Sequence, residues 1–341
     1  MTGDQRTGRG PKIVAIGGGN GLASLLRGLK EYSFNLTAIV TVADDGGSSG
    51  RLRRSLGVLP PGDFRNCIAA LADDEALITQ LFRYRFADGD GVDGHSFGNL
   101  FITAMAGITG SFEKALLESS RVLAIKGRVV PSTLADVTLV ADVIDPAQVP
   151  AESGQRVSRV EGESQIPRLS GAIRRLHLRP DNPPAYPEAI QAVLAAGLIL
   201  AGPGSLFTSV LPNLLVRDLA AAIRASRALK VYICNVATQP GETAGFSVGD
   251  HLQVLERHAR PGLFQNVVAN IPQDRKYDVE WVRLDWPDRP DVQVVTADMV
   301  DPHSPWRHDS RKLARTLMDL LEARAPEAKK IAEFSRQRKL P

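Results

Sequence analysis

The 341-residue chain has little of what marks several broad protein classes. It contains only two cysteines, Cys67 and Cys234, which are isolated in sequence and form no metal-binding spacing. They fit a reducing compartment better than a disulfide scaffold. The 41 basic and 38 acidic side chains leave a net charge of +3, which is too small to indicate nucleic acid or an anionic membrane as a partner.

The chain also lacks a long hydrophobic run. Its longest apolar stretch, residues 192–201, is about half of the roughly 20 residues that a membrane helix needs. Residues 1–11 are polar and glycine-rich, and they predict a flexible tail rather than a signal peptide. Residues 326–341 predict a basic tail. We therefore expect a cytoplasmic protein with no membrane span and one domain over residues 12–325.

Strand and helix patterns alternate at both ends of the chain. The predicted strands are 12–16, 37–42, 198–201, 231–236 and 292–295. Between about residues 122 and 180 the pattern changes to short β-rich pieces, at 128–130, 137–140 and 156–157. The predicted fold class is α/β, with a doubly wound, mostly parallel Rossmann-like sheet and a small β-rich inserted lobe.

Helix signals follow several of these strands. Asp63, after a Pro-Pro-Gly turn, predicts an N-cap, and a helical stripe then runs on from Ile68 with an irregularity at Asp73 and Asp74. A further helix is expected to begin near Ser96, and the last helix is expected over about 311–322.

A glycine-rich loop follows the first predicted strand. Its residues are Gly17, Gly18, Gly19, Asn20 and Gly21. Such a loop exposes backbone N–H groups to phosphate. The dinucleotide fingerprint needs glycine at positions one, three and six, but the sixth residue counted from Gly17 is Leu22. NAD is therefore the less favoured ligand, and a tight turn without a ligand is the simpler alternative.

A second loop, which follows the second predicted strand, is more specific. Asp44 and Asp45 precede a Gly-Gly-Ser-Ser-Gly-Arg segment that contains Ser48, Ser49 and Arg51. The two carboxylates suggest either ribose recognition or a divalent cation such as Mg²⁺ that bridges carboxylate and phosphate. The serines and the arginine would donate hydrogen bonds to the same anion. A solvated turn with aspartate caps is the alternative.

Three further predicted helix starts add polar groups. They contribute the candidate ligand-binding residues Arg65, Asn66, Ser96, Asn99, Gly202, Gly204, Ser205, Thr208 and Asn213. Each helix N-terminus carries about half a positive charge, so several of them at one sheet edge would bind an anion without many lysines. Asp45, Asp63 and His95 are the candidates for a catalytic role.

These motifs together resemble one known family. The segments 16–22, 41–52, 60–66, 94–100, 202–215 and 231–243 are similar to those of CofD-like proteins, in particular the gluconeogenesis-factor (YvcK-type) branch, which is related to the 2-phospho-L-lactate transferases. The resemblance implies a Rossmann-like fold. It further implies that Asn235, Thr238 and Gln239 would contact ribose, sugar or base, and that Tyr277 and Arg307 would contact the nucleotide.

The resemblance leaves two functions open. The gluconeogenesis-factor branch implies a regulatory protein that binds a UDP-sugar or another nucleotide diphosphate and is linked to gluconeogenic growth, cell shape and envelope synthesis. The transferase branch implies an Mg²⁺-dependent enzyme that moves a phospholactyl group from a guanosine diphosphate conjugate to a deazaflavin alcohol. A homodimer is left open, and the sequence does not identify a regulatory protein partner.

Overall fold

The structure is a computed structural model that describes residues 10–73, 77–87, 89, 91–144, 157–168, 171–271, 277–286 and 289–337, with side chains up to residue 324. Its centre is a seven-stranded parallel sheet in the order β10-β9-β8-β7-β1-β2-β3. These strands are β1 (Ile13–Gly17), β2 (Leu36–Val40), β3 (Arg128–Pro131), β7 (Leu198–Ala201), β8 (Leu229–Ile233), β9 (Asn266–Asn270) and β10 (Gln293–Ala297).

The central strands are apolar because helices cover both faces of the sheet. All residues of β1, β7 and β9 are buried, as expected for a parallel sheet. The helices are α1 (Gly19–Leu29), α2 (Gly47–Leu56), α3 (Gly62–Leu71), α4 (Leu77–Arg83), α5 (Phe97–Thr109), α6 (Phe112–Val122), α7 (Pro187–Ala195), α8 (Leu211–Leu214), α9 (Arg217–Ala225), α10 (Val248–Ala259) and α11 (Ser310–Gln337).

A small antiparallel lobe is inserted between β3 and α7. Its strands are β4 (Thr138–Ile144), β5 (Val157–Glu161) and β6 (Ala172–Arg179), in the order β5-β4-β6. A 3₁₀ helix, Glu163–Arg168, connects β5 towards β6. A separate hairpin of β11 (Val300–Asp301) and β12 (Ser304–His308) precedes α11.

The chain reverses its direction of winding between β1 and β7. From β1 it proceeds outward through β2 to β3, and from β7 it proceeds the other way through β8 and β9 to β10. The carboxyl ends of β1 and β7 are therefore neighbours with their connections leaving to opposite sides, which is where open α/β sheets bind ligands. The predicted doubly wound, mostly parallel fold with a β-rich lobe is confirmed.

Several predicted elements are corrected by the structure. Residues 128–131 form β3 at the edge of the main sheet, not part of the inserted lobe. Strand β9 was missing from the sequence prediction. Asp63 lies in the first turn of α3, whose N-cap is Pro61, so Asp63 is not the cap. The helical stripe from Ile68 is divided between α3 and α4.

The predicted tails also differ in part from the structure. Helix α11 continues to Gln337, so most of the predicted basic tail 326–341 is helical. In the predicted flexible tail 1–11, residues 1–9 lie outside the described residues, whereas the carbonyls of Gly10 and Pro11 accept hydrogen bonds from Asn35 Nδ2 and Ser33 Oγ.

Among the described residues, no single helix is long and apolar enough to cross a bilayer. One pair of helical segments, Leu206–Leu214 and Arg217–Ala225, meets the length and composition criteria when taken together, with a bend of 76° between them.

Candidate functional site

The loops that follow β1 and β7 touch at the point where the winding reverses. A Cβ added to Gly21 would lie 2.5 Å from the Pro203 carbonyl oxygen and 2.8 Å from Gly204 Cα. Gly19 adopts a φ of +61°, which L side chains rarely adopt. The two loops can approach this closely because Gly21 has no side chain, and the turn of the first loop is possible because glycine occupies position 19.

A cavity of about 460 Å³ opens over these two loops. Its lining includes ten of the residues predicted from the sequence: Gly18, Gly19, Asn20, Gly21, Gly204, Ser205, Asn235, Thr238, Gln239 and Arg307. Trp306, Arg307 and His308 reach the cavity from the β11–β12 hairpin. Ten of the residues predicted for the site therefore lie together around one cavity.

Some backbone amides in these loops are committed within the protein and others are not. The Gly19 N–H is hydrogen-bonded to Asp63, and the Gly204 N–H donates to Asn235 Oδ1 at 3.2 Å. Asn20 and Gly21 occupy the first turn of α1, where a helix offers no internal acceptor. Their N–H groups have no hydrogen-bond partner among the described residues. The N-terminus of α1 consequently presents unpaired N–H groups and the positive end of the helix dipole to the cavity.

The loop after β7 is held by a compact polar network. Ser205 caps the following π-helical turn, Leu206–Val210, by accepting the Thr208 N–H at 3.1 Å. The Ser205 hydroxyl donates to Glu242 Oε2, and it accepts from Thr208 Oγ1 at 2.7 Å. Burial raises the pKa of Glu242. Thr208 therefore supports the loop and is not among the cavity's lining residues.

Three predicted residues, Gly17, Gly202 and Asn213, lie behind the cavity rather than in it. The buried Asn213 side chain donates from Nδ2 to the carbonyls of Gly17, at 3.0 Å, and Ser209, at 2.9 Å. The Gly202 N–H donates to the Ile16 carbonyl. These contacts fasten the β7 loop to the end of β1, so Gly17, Gly202 and Asn213 shape the site without lining it.

The acidic loop after β2 forms an adjoining group. The Gly46 N–H donates to Asp44 Oδ1 at 2.9 Å, and Ser49 Oγ accepts the Gly62 N–H at 3.0 Å. Gly47, Ser48 and Ser49 form the first turn of α2, whose N–H groups have no internal helical acceptor. This is a second helix N-terminus beside the first loop, but it does not line the 460 Å³ cavity.

His95 joins the acidic loop through Ser48. The Ser48 hydroxyl and His95 Nδ1 are 2.9 Å apart, and Asn99 Nδ2 donates to the same hydroxyl at 3.0 Å. Burial and the nearby Arg51 lower the pKa of His95. Ser96 is the N-cap of α5, as predicted, and accepts the Asn99 N–H. The buried Asn99 Oδ1 has no partner among the described residues.

The two predicted arginines around this loop each donate one hydrogen bond within the protein, although Arg65 Nε is buried and has no partner among the described residues. Arg51 donates to the Asp93 carbonyl at 2.6 Å, and Arg65 donates to Asn66 Oδ1 at 2.7 Å. Burial lowers the pKa of Arg65, whose chain lies against Gly98. These groups supply positive charge near the site while their side chains are held by protein contacts.

Four carboxylates meet where the acidic loop approaches the first glycine loop. They belong to Asp44, Asp45, Asp63 and Glu163. Burial and Asp44 raise the pKa of Asp63 to about 7, against the hydrogen bond from Gly19. Burial, followed by repulsion from Asp44, Asp63 and Asp45, raises the pKa of Glu163 to about 9, so Glu163 is protonated at neutral pH and shares a hydrogen bond with Asp44.

The fit of this group to Mg²⁺ depends on the ligand supplying the other positions. No three His, Cys, Asp or Glu side chains of the described part of the chain are arranged to hold a metal ion by themselves. Mg²⁺ usually takes one or two carboxylates, with water and phosphate oxygens completing its octahedron. Asp44 and Asp63 each accept one backbone N–H, from Gly46 and Gly19, and would ligate the ion through their remaining lone pairs. Asp45 fits less well, because its Oδ1 accepts the Ser164 N–H at 2.9 Å and its Oδ2 lies against Gly162.

Sequence reasoning missed several residues of the site, and it also named Tyr277, which lies outside the cavity. Glu163, Glu242, Trp306 and His308 carry no glycine-loop or helix-start signal, and only folding brings them to the site. Burial lowers the pKa of His308 to about 4, and its Nε2 has no partner among the described residues. Tyr277 does not line the cavity, and its ring packs against Trp281 at 6.3 Å.

The fold and the site define a Rossmann-like α/β protein with a glycine-lined cavity at the switch point of its sheet. The sequence profile described as "2-phospho-L-lactate transferase CofD" matches residues 13–322. The chain belongs to the CofD family.

Named relatives come from the gluconeogenesis-factor branch. The gluconeogenesis factor of Bacillus subtilis is 44% identical over 326 residues, covering 92% of this chain and 99% of the relative. A putative gluconeogenesis factor of Thermoanaerobacterium thermosulfurigenes is 45% identical over 332 residues, covering 92% and 98%. Another, from Nostoc, is 59% identical over 252 residues, covering 74% of this chain but only 53% of the relative.

A solved structure shares the fold closely. The crystal structure of a UPF0052-family protein from Bacillus halodurans superimposes with a TM-score of 0.81 at 40% identity, covering 91% of this chain and 99% of that one. The match covers nearly the whole of both chains.

Proposed function

We propose that the chain binds a nucleoside diphosphate conjugate, with a UDP-sugar as the first candidate, in the cavity at the switch point. The observation that carries this proposal is the contact of Gly21 with Pro203 and Gly204, which gathers two glycine loops over one cavity. The uncommitted N–H groups of Asn20 and Gly21 would hold the diphosphate, and Arg307 would add a full positive charge.

Other polar groups that line the cavity would contact the sugar and base of the ligand. Asn235, Thr238 and Gln239 line the cavity beside the glycine loops. Thr238 Oγ1 and His308 Nε2 are buried without partners. A buried polar atom without a partner costs free energy, and a hydroxyl or amide of the sugar or base would restore the hydrogen bonds.

The biological role is proposed by analogy with the branch. The relatives named gluconeogenesis factors support a regulatory protein, which would couple the level of an envelope precursor to gluconeogenic growth and cell shape. A binding protein of this kind needs a cavity that discriminates ligands, and no bond need be made or broken in it.

Calorimetric titration with UDP-N-acetylglucosamine tests the binding site. We expect binding in the wild type and a loss of at least tenfold in affinity for Arg307→Ala, because a charge-assisted hydrogen bond to phosphate is removed. Arg311→Ala is the matched control, since Arg311 is an exposed arginine four residues away that does not line the cavity. The absence of heat at millimolar ligand would overturn the proposal.

The carboxylate group supports a second candidate, an Mg²⁺-dependent phosphotransferase. Asp44 and Asp63 would hold Mg²⁺ together with the ligand's phosphates, and the cation would neutralise charge on the transferred group. The raised pKa of Asp63, about 7, would also let it exchange a proton with an acceptor hydroxyl near neutral pH.

Turnover decides between the two candidates. A guanosine diphosphate conjugate of phospholactate would be incubated with a deazaflavin alcohol and Mg²⁺, using the wild type, Asp63→Asn and Asp45→Ala. Turnover that is lost in Asp63→Asn would establish the transferase and displace the regulatory proposal. Asp319→Asn, on the exposed side of α11, is the control. A parallel titration with NAD tests the less favoured dinucleotide.

A further inference from the structure

A second cavity lies away from the glycine loops and is larger than the first. Its volume is about 850 Å³, and it lies between β6 of the inserted lobe, the α8–α9 segment and the end of α10. Because α9 and α10 precede β8 and β9, their last residues lie near the amino ends of those strands. The glycine loops lie at the carboxyl ends, so the two cavities occupy different parts of the molecule.

The charge of this second cavity is strongly positive. Its lining contains six arginines and two aspartates, namely Arg174, Arg175, Arg217, Arg224, Arg257, Arg260, Asp181 and Asp218. The net charge of the whole chain is only +3. The cavity therefore concentrates an excess of positive charge that the rest of the chain offsets.

Most of these arginines have no carboxylate partner. Arg217 pairs with Asp181 at 3.1 Å, and both side chains are largely exposed. For the other five arginines, no Asp or Glu of the described residues lies within ion-pair distance. Like charges gathered in one concave surface repel one another, and an anion bound among them would relieve that repulsion.

The walls of the cavity are fixed to each other by a histidine. The Leu176 N–H of β6 donates to His258 Nε2 at 3.0 Å, and His258 Nδ1 donates to the Val254 carbonyl at 2.8 Å. Since Nε2 accepts a hydrogen bond, the ring is neutral, and burial lowers the pKa of His258. This bridge holds the edge strand of the lobe against the end of α10, next to the cavity.

Two further features of this cavity concern its lining residues Arg260 and His177. Arg260 has a φ of +79°, a backbone conformation that is strained for a non-glycine residue. Glycine would adopt this conformation without strain, yet the position carries a cationic side chain that lines the cavity. His177 Nδ1, also in the lining residues, is buried and has no partner among the described residues.

We propose that this cavity binds a small molecule that carries several phosphate groups. The volume falls within the range of about 300–1,000 Å³ that is usual for small-molecule sites. Guanidinium groups match phosphate oxygens through paired hydrogen bonds and stay charged when desolvated. Arginines on three separate elements surround one volume, so a compact polyanion contacts several of them at once. The site is independent of the proposed nucleotide site and can be filled at the same time.

Titration with inorganic tripolyphosphate tests the proposal on the full chain. We expect Arg175→Ser combined with Arg257→Ser to weaken binding at least tenfold, because both positions contribute charge to the cavity. The matched control is Arg121→Ser with Arg315→Ser, which removes the same charge from exposed positions on α6 and α11. Arg307→Ala is tested in parallel, because tripolyphosphate could also enter the glycine-lined cavity, and it is expected to retain the binding.

A second variant keeps the test independent of folding. Arg260→Gly should raise the thermal stability by relieving the strained φ, while weakening tripolyphosphate binding several-fold. Equal weakening by the two double variants, loss of binding in Arg307→Ala alone, or no binding of tripolyphosphate would each overturn the proposal. Binding of an oligonucleotide through the same arginines without binding of tripolyphosphate would overturn it as well.

Discussion

At the scale of single residues, Gly21 shows why sequence and site are tightly connected. The Cβ of an alanine there would meet the Pro203 carbonyl oxygen at 2.5 Å, and backbone atoms cannot move aside cheaply. We expect Gly21→Ala to lower the free energy of unfolding by about 1–3 kcal/mol, as overpacking commonly does. It should also weaken any phosphate ligand, because the two loops would separate. Chemical denaturation and calorimetry measure the two effects.

Gly107 provides the control for that substitution. It lies within α5, is exposed, and has no atom within 4 Å of an added Cβ. Gly107→Ala should raise the free energy of unfolding by about 0.5–1 kcal/mol through the higher helix propensity of alanine. Equal destabilisation by both substitutions would contradict the account of the loop contact.

Glu163 gives a prediction with a defined pH dependence. Its pKa is raised from 4.5 to about 9 in the folded protein. Below pH 4.5 it is protonated in both states and costs nothing, whereas stability is lost as the pH rises from 4.5 towards 9. Glu163→Gln keeps a donor for Asp44 and removes this loss, so we expect it to stabilise the protein by roughly 1–2 kcal/mol at pH 8.

Thermal unfolding of the wild type and Glu163→Gln across the pH range measures the effect of this carboxyl. The two proteins should have the same stability at pH 4.5 and diverge as the pH rises. A constant difference at every pH would show that the carboxyl of Glu163 is not the titrating group.

Residues with local signals could be predicted for the site, and residues without them could not. Glycine spacing and helix starts identified Gly21 and Ser205, because backbone conformation and capping are encoded locally. Glu163 and His308 could not be found, because one is brought by the inserted lobe and the other by a hairpin near the end of the chain. The prediction that Asp63 is an N-cap was wrong, since the N-cap of α3 is Pro61 and Asp63 lies in the first turn.

At the scale of elements, Asp45 connects the inserted lobe to the acidic loop. Its Oδ1 accepts the Ser164 N–H at 2.9 Å, and its other oxygen lies against Gly162. We expect Asp45→Ala to increase amide hydrogen exchange in the 3₁₀ helix Glu163–Arg168 by about tenfold, which corresponds to roughly 1.4 kcal/mol of lost protection. Exchange in the central strands should not change.

Asp181→Ala is the comparison for the lobe. Asp181 is an exposed aspartate just beyond β6 whose only ion pair is on the surface, among the residues that the structure describes. It should leave exchange in residues 163–168 unchanged, because surface ion pairs contribute little. If both substitutions accelerate exchange equally, the lobe is not held through Asp45.

Element types were predictable where the apolar pattern was long or was followed by a glycine turn. β1 and β7 satisfied both conditions. β3 was assigned to the wrong sheet because its four residues pair with β2, a partner that local pattern cannot reveal. β9 was overlooked because its three apolar residues are flanked by asparagines.

At the scale of the whole molecule, the two cavities predict additive stabilisation. A ligand at 100 times its dissociation constant stabilises the folded state by about 2.7 kcal/mol. For a protein of 341 residues, that corresponds to a rise in Tm of roughly 4 °C. UDP-N-acetylglucosamine and tripolyphosphate together should raise the Tm by the sum of their separate effects. A combined rise equal to the larger single rise would mean that both ligands compete for one site.

The strand order itself was only partly open to prediction. Alternating strand and helix signals indicated a doubly wound sheet, but no sequence signal showed that β1 and β7 are neighbours. Their pairing follows from the burial of both strands at the centre of the sheet. That one long-range pairing creates the switch point and thereby brings together glycine loops that are 180 residues apart.

The side-chain amide of Asn235 grips Gly204 from both sides, accepting its N–H at 3.2 Å and donating to its carbonyl at 2.9 Å. The conformation of the loop is thus fixed by contacts within the protein. An incoming molecule does not need to order this part of the chain, so little conformational entropy is lost on association. For the proposed ligand, the association rate would therefore be set by diffusion and charge rather than by loop rearrangement.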